Sequence, residues 1–301
     1  MLGMVVASLM IYASASHRAL EREIAESPRD PETGVLIGAE AVTLDPTDAA
    51  TTPTRACLMI HGFIGSRQDF ADLGERLAEA GLHVRMMRLP GHGTTPLDFE
   101  RQSADTIEAG VLEEFRALSR DYDAVDVVGF SMGGALATLL STREPVARLV
   151  LVSPYYGVTY RWFYLLPVEA WNALARPFVR YVVKSNRFIQ VNRPEAKPHI
   201  LTYHVTPTRG VHTLIELGRR ARRAETLATV RCPTLVVATD GDRAASPARI
   251  REAYEALGVA DKTIRWIDER SNHHLMWDYD REEVKDTIVE FLAAPPRPES
   301  Q

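Results

Sequence analysis

Residues 125–140 read VDVVGFSMGGALATLL. An apolar strand-like run, Val125–Val128, enters a Gly-rich turn, and a helix-like run, Met132–Thr142, leaves it. Within the turn, Gly129-Phe130-Ser131-Met132-Gly133 fits G-x-S-x-G, with a strand before it and a helix after it, as that motif requires. The chemistry explains the spacing. The chain must reverse within a few residues, which leaves the serine strained and exposed. Glycines two before and two after it keep side chains from colliding with strand and helix. Gly134 gives further room, and the helix N-terminus favours developing negative charge. The plainer alternative is a Gly-rich turn in which Ser131 is incidental.

Outward from this turn, apolar runs alternate with helical periodicity. Strands are expected within Gly38–Leu44, Ala56–Ile60, His83–Leu89, Val125–Val128, Val146–Val152, Thr234–Ala238 and Lys262–Ile267. Helices are expected over Ser66–Ala80, closed by Gly81, and over Ala104–Asp121, Met132–Thr142, Leu214–Leu227, Pro247–Leu257 and Asp280–Leu292. This order predicts an α/β fold with a mostly parallel sheet flanked by helices. The alternation breaks over 155–211, which reads as an insertion above the strand ends, where such folds bind ligands.

A serine hydroxyl is a poor nucleophile at neutral pH and needs a base, which in turn needs an orienting acid. With a turn of this kind the acid follows a late strand and the histidine a still later one. After Thr234–Ala238 comes TDGDRAASP, offering Asp240 and Asp242; after Lys262–Ile267 comes DERSNHHLMWD, offering His273 and His274. An aspartate in a turn or a histidine in a loop is ordinary by itself. The joint order Ser131, Asp242, His273 is what points to a triad. Acyl transfer also needs donors for the oxyanion. The backbone N–H of Met132 is one candidate, and that of Phe63, in the loop His61-Gly62-Phe63-Ile64-Gly65-Ser66, is the other. Ser66 in that loop also fits a helix cap.

The 301 residues suit one large α/β domain or two small ones and can bury a core without disulfides or metal. A net charge of −5 gives no electrostatic case for nucleic acid. The two cysteines, Cys57 and Cys232, read as buried free thiols. Residues 2–15, LGMVVASLMIYASA, carry no charge but are too short for an ordinary transmembrane helix. Three readings fit: a signal peptide with Ala13-Ser14-Ala15 as cleavage site, a clipped membrane anchor, or an amphipathic helix. These tip the expected location toward membrane-associated or exported rather than cytoplasmic. HRALEREIAE continues as a charged helix, and SPRDPETG reads as a linker.

With these residues in place, the chain over about 35–293 resembles the α/β-hydrolase superfamily, in its bacterial carboxylesterase and monoacylglycerol-lipase-like branch. The carrying motifs are HGFIGS (61–66), RLPGHG (88–93), GFSMGG (129–134), CPTLVVATDGD (232–242) and SNHHLMWD (271–278). The resemblance implies Asp242 as the acid and His273 as the base. It implies a structural role for His92, and catalysis without cofactor or metal. Ala244 and Ala245 depart from the valines usual there. The expected organisation is an N-terminal segment and linker (1–34), a hydrolase core in two halves (35–154 and 212–293), a cap (155–211) and a disordered tail (294–301). Within the cap, Trp162, Phe163, Tyr164, Leu165 and Leu166 read chiefly as its own packing, and otherwise as an acyl pocket or membrane contact. Arg219, Arg220, Arg222 and Arg223 read as a solvated helix face, or as a contact for anionic lipid.

The expected activity is hydrolysis of short- to medium-chain carboxylic or monoacylglycerol esters, the substrate being a small ester with an apolar acyl group. The same triad also serves peptidases, thioesterases, acyltransferases and perhydrolases, and the fold serves non-catalytic binding proteins.

Overall fold

The Gly-rich turn lies at the centre of a seven-stranded sheet. The computed structural model describes residues 2–46, 53–159, 166–184 and 189–294. The strands are β1 (Val42–Leu44), β2 (Arg55–Ile60), β3 (His83–Met86), β4 (Ala124–Phe130), β5 (Leu149–Val152), β8 (Thr234–Thr239) and β9 (Lys262–Ile267). They are ordered β1-β3-β2-β4-β5-β8-β9. All neighbours are parallel except β1, which pairs antiparallel with β3. The central strands are buried on both faces, which is why β5 reads as an unbroken apolar run and β4 is interrupted only by Asp126, buried and paired with Arg55.

One core layer lies between the sheet and α4 (Ala104–Asp121), α5 (Met132–Ser141), α7 (Thr208–Ala221) and α9 (Pro247–Ala256), and includes Val111, Phe115, Leu136 and Leu217. The other lies under α2 (Leu73–Glu79) and α10 (Arg281–Ala293), with Phe70, Leu77, Val284 and Ile288. Three further helices are short: α3 (Pro96–Glu100), α6 (Val168–Ala175) and α8 (Ala224–Ala228). Cys57 is buried, Cys232 is partly buried, and both are free thiols.

Several elements differ from their expected bounds. The leading strand is only Val42–Leu44. The helix expected over Ser66–Ala80 is broken: a 3-10 turn, Arg67–Phe70, capped by Ser66, ends at Ala71 with φ 52°, and α2 follows. The break turns Asp69 inward. The α7 helix starts at Thr208 rather than Leu214, right after Pro207. Gly210 near its start hides this in the sequence, yet a β-carbon there would meet the Phe99 ring at 2.2 Å, so helix and ring pack too closely for any side chain. The basic run divides: Arg219 and Arg223 are exposed, whereas Arg220 pairs with Asp105, Glu108 and Glu216, and Arg222 Nη1 donates to the Tyr156 carbonyl.

The N-terminal residues form one helix, α1 (Leu2–Glu26), running through Ala13-Ser14-Ala15. No helix among the described residues is long and apolar enough to cross a membrane. Leu20 of α1 is buried with Tyr181 and Val205, which belong to an antiparallel pair, β6 (Tyr181–Val183) and β7 (Val205–Pro207). The Glu23 carboxylate accepts from the backbone N–H groups of His204 and Val205. Met10 and Ile11 remain exposed. Trp162, Phe163, Tyr164 and Leu165 lie outside the described residues, as does the tail from 295; Leu166 is exposed.

Candidate active site

Ser131 occupies φ 53°, ψ −115°, a conformation that L-residues avoid, at the junction of β4 and α5. Two close approaches force it. A β-carbon on Gly133 would sit 1.9 Å from the Ile60 carbonyl oxygen, and one on Gly129 would sit 2.4 Å from the Gly133 oxygen. The turn is tied to the next strand end by Ser131 N–H donating to Val152 O and Tyr155 N–H donating to Ser131 O.

The two late loops meet this turn. His273 Nε2 lies 2.8 Å from Ser131 Oγ, and His273 Nδ1 lies 2.7 Å from Asp242 Oδ2. All three side chains are buried. The other Asp242 oxygen, Oδ1, accepts from the N–H groups of Ala244 (2.7 Å) and Ala245 (2.8 Å), which fixes the carboxylate plane. Asp240 is exposed and pairs with Arg251 instead. Of the residues singled out in the sequence, Ser131, Asp242 and His273 therefore come together, and Asp240 stays apart.

The loop 61–66 faces the serine. Phe63 lines the same cavity as Ser131 and His273. No loop or cap hydrogen bond among the described residues engages the N–H of Phe63 or of Met132. His61 is buried and held neutral, burial pulling its pKa to about 4. Its Nδ1 donates to Gly62 O, and its Nε2 accepts from Leu89 N–H. His92 packs edge-on against it, ring centroids 5.1 Å apart.

Other residues of the site have no local signature. Asp69 is buried, accepts a 2.9 Å bond from Gly62 N–H, and lies 3.8 Å from His274 Nδ1. Burial raises its pKa to about 7 and lowers that of His274 to about 3. The Phe130 ring contacts both His273 and His274, at 5.0 and 5.1 Å between centroids. Asn272 Oδ1 accepts from the N–H groups of His273 and Arg243, joining the acid and histidine loops. The buried Asp278 carboxylate gathers N–H groups of Asn272, Asn192, Arg193 and Tyr279. Only SNHHLMWD as a block hinted at Asn272 and Asp278. Nothing local marked Asp69, whose partners are set by the fold.

Beside Ser131 and His273 is a cavity of about 440 Å³. Its floor includes Phe63, Phe130 and Ser131; its walls include Trp171, Val182 and Ile215, from the segment after β5 and from α7. Most of the lining is apolar, suited to a ligand with a hydrocarbon part.

The family model described as serine aminopeptidase, S33 (Hydrolase_4) matches residues 51–280. The chain belongs to this family. It is an α/β-hydrolase, with a mostly parallel sheet flanked by helices. It is similar to the thermostable monoacylglycerol lipase of Bacillus sp. (strain H-257), with 28% identity over 262 residues, covering 86% of this chain and 96% of the lipase. It is also similar to a carboxylesterase of Bacillus subtilis (strain 168), with 24% identity over 240 residues, covering 79% and 92%. Among solved structures, one reported for LipS and LipT, two metagenome-derived lipolytic enzymes, has a TM-score of 0.74 and 27% identity, covering 86% of this chain and 98% of that one. A soluble variant of monoglyceride lipase from Saccharomyces cerevisiae has a TM-score of 0.71 at 13% identity, covering 84% and 90%, which is a likeness of fold.

Proposed function

We propose that this protein hydrolyses carboxylic esters through Ser131, His273 and Asp242. The observation that carries the reading is the unbroken hydrogen-bonded chain from Ser131 Oγ through the His273 imidazole to Asp242, opening on a largely apolar cavity. The family membership and the lipase and esterase relatives support carboxylic ester hydrolysis.

In this mechanism Ser131 Oγ attacks the ester carbonyl carbon while its proton passes to His273 Nε2. Asp242 holds the imidazole with Nδ1 protonated and stabilises the imidazolium. The negative oxygen of the tetrahedral intermediate is held by the N–H groups of Phe63 and Met132, donors whose loss costs about 10²–10³ in rate in comparable sites. The carbon–oxygen bond to the alcohol then breaks, and His273 returns the proton to the departing oxygen. Water, deprotonated by the same imidazole, attacks the acyl-enzyme and releases the acid, restoring Ser131.

Residues 155–211 act as a cap over this site, with short- to medium-chain acyl or monoacylglycerol esters as substrates. A p-nitrophenyl ester chain-length series on the wild type and Ser131→Ala tests the reading. Activity should peak at short to medium acyl chains and fall by more than a thousandfold in the variant. Equal activity in both would overturn it. The family description favours a second reading, cleavage of aminoacyl amides by the same triad. Aminoacyl p-nitroanilides assayed alongside the esters separate the two.

The exposed Met10, Ile11 and Tyr12 of α1 suit association with a membrane surface. Co-sedimentation of the full chain with phosphatidylcholine–phosphatidylglycerol vesicles, lost in Ile11→Glu, is the expected outcome. Equal recovery of both proteins in the supernatant contradicts it.

A further inference from the structure

The chain has four lysines. Two of them illustrate how this fold satisfies an ammonium. Lys262 Nζ donates to three backbone carbonyls, those of Tyr254, Glu255 and Leu257, and Lys285 pairs with Asp72 and Glu282. Lys184 is different. It follows β6 and lines the cavity that holds Ser131 and His273. Its Nζ has no carboxylate within ion-pairing distance among the described residues. Among the described residues, its Nζ lies over the face of the Phe63 ring, 5.3 Å from the centroid. The other ionisable groups of the lining leave it unneutralised. Asp69 faces Gly62 N–H and His274, and His204, His273 and His274 carry no negative charge in any state available to them at neutral pH.

We propose that Lys184 is an anion-recognition residue, and that the preferred substrates are esters bearing one carboxylate-type negative charge beyond the scissile bond. The inference rests on the ester-hydrolase reading and names the substrate class of that site. Lys184 is partly buried, and an ammonium beside a largely apolar cavity without a counter-charge is incompletely solvated, a cost that an aromatic face offsets only in part. An anion bound in the cavity supplies the missing partner as a charge-assisted hydrogen bond, while the apolar walls take the hydrocarbon part. Burial lowers the Lys184 pKa to about 8, so at neutral pH most of the population still carries the charge. A single ammonium suits a monoanion better than a dianion. No argument of this kind is visible in the sequence, where Lys184 ends an unremarkable YVVK.

The test compares mono-p-nitrophenyl glutarate with p-nitrophenyl pentanoate, matched in acyl length, on the wild type, Lys184→Met and Lys184→Arg at neutral pH. The readout is the charged-to-uncharged ratio of kcat/KM. The wild type should favour the charged ester at least tenfold. Lys184→Met should collapse that ratio to one or below, chiefly through KM for the charged ester, and Lys184→Arg should keep part of it. A wild-type ratio near one, or a ratio unchanged in Lys184→Met, overturns the proposal while leaving ester hydrolysis by Ser131 intact. A reading free of turnover comes from calorimetric binding of monomethyl glutarate and of methyl pentanoate to Ser131→Ala protein. Tighter binding of the charged ligand, lost when Lys184→Met is added, supports the proposal, and equal binding of the two ligands refutes it.

Discussion

Asp69 Oδ2 accepts a 2.9 Å hydrogen bond from the backbone N–H of Gly62, the residue before Phe63. A buried carboxylate thus braces the loop proposed to hold the oxyanion. The side chain packs so tightly there that a β-carbon on Gly65 would lie 2.3 Å from Asp69 Oδ2.

Burial raises the Asp69 pKa to about 7 from an ordinary 3.8. For an acid shifted upward, the unfolded chain releases its proton first. Stability is therefore full below about pH 3.8 and is lost progressively up to about pH 7, by an amount on the order of 4 kcal/mol for a shift of this size. Asp69→Asn keeps an acceptor for Gly62 but cannot ionise. Its melting temperature should fall less between pH 5 and pH 8 than that of the wild type. Parallel falls in the two proteins would contradict the assignment.

Gly133 approaches Ile60 O more closely than any β-carbon tolerates. Gly133→Ala must push β2 and α5 apart, at a cost of about 3 kcal/mol or more. In a domain of this size that lowers the melting temperature by roughly 6–12 °C. Differential scanning calorimetry checks this, and an unchanged transition would mean the turn is looser than described.

Asp242 and Asp240 are two residues apart but differ in every contact. Asp242→Asn should lower kcat by about 10⁴, the scale seen when a triad carboxylate becomes an amide. Asp240→Asn loses only an exposed pair with Arg251, a kind of contact worth about 0–1 kcal/mol, and should leave kcat within about twofold. A reversed pattern would reassign the acid.

These contrasts show what the sequence could and could not carry. GFSMGG was legible because strand, strained turn and helix are contiguous, so a local pattern encodes a local geometry. The choice of Asp242 over Asp240 was not readable from spacing, since both suit a turn. It came from family resemblance, and in the structure it follows from Ala244 and Ala245 N–H groups pointing at Asp242 Oδ1. Asp69, Asn272 and Lys184 acquire their surroundings only when distant loops meet, and no periodicity reports that. The start of α7 at Thr208 was hidden for the same reason: Gly210 weakens a helix by propensity, yet close packing on Phe99 requires it. The uncharged run at 2–15 left three readings open, and the docking of α1 through Leu20 and Glu23 depends on β6 and β7, roughly 160 to 185 residues away.

That docking is itself testable. Leu20→Ala removes the buried anchor of α1, and a leucine truncated in a core costs about 2–5 kcal/mol. Because the cluster is small and peripheral, the loss should appear as local opening. Hydrogen exchange should quicken in α1, β6 and β7 and stay slow in β4 and α5. Uniformly faster exchange would show that α1 is part of the global folding unit.

The most direct test of the central claim is peptide mapping by mass spectrometry after rapid acid quench of a p-nitrophenyl ester reaction. The account predicts an acyl group on the peptide that contains Ser131, accumulating during the burst and absent from Ser131→Ala. An acyl group on any other residue, or turnover by Ser131→Ala at the wild-type rate, would contradict it.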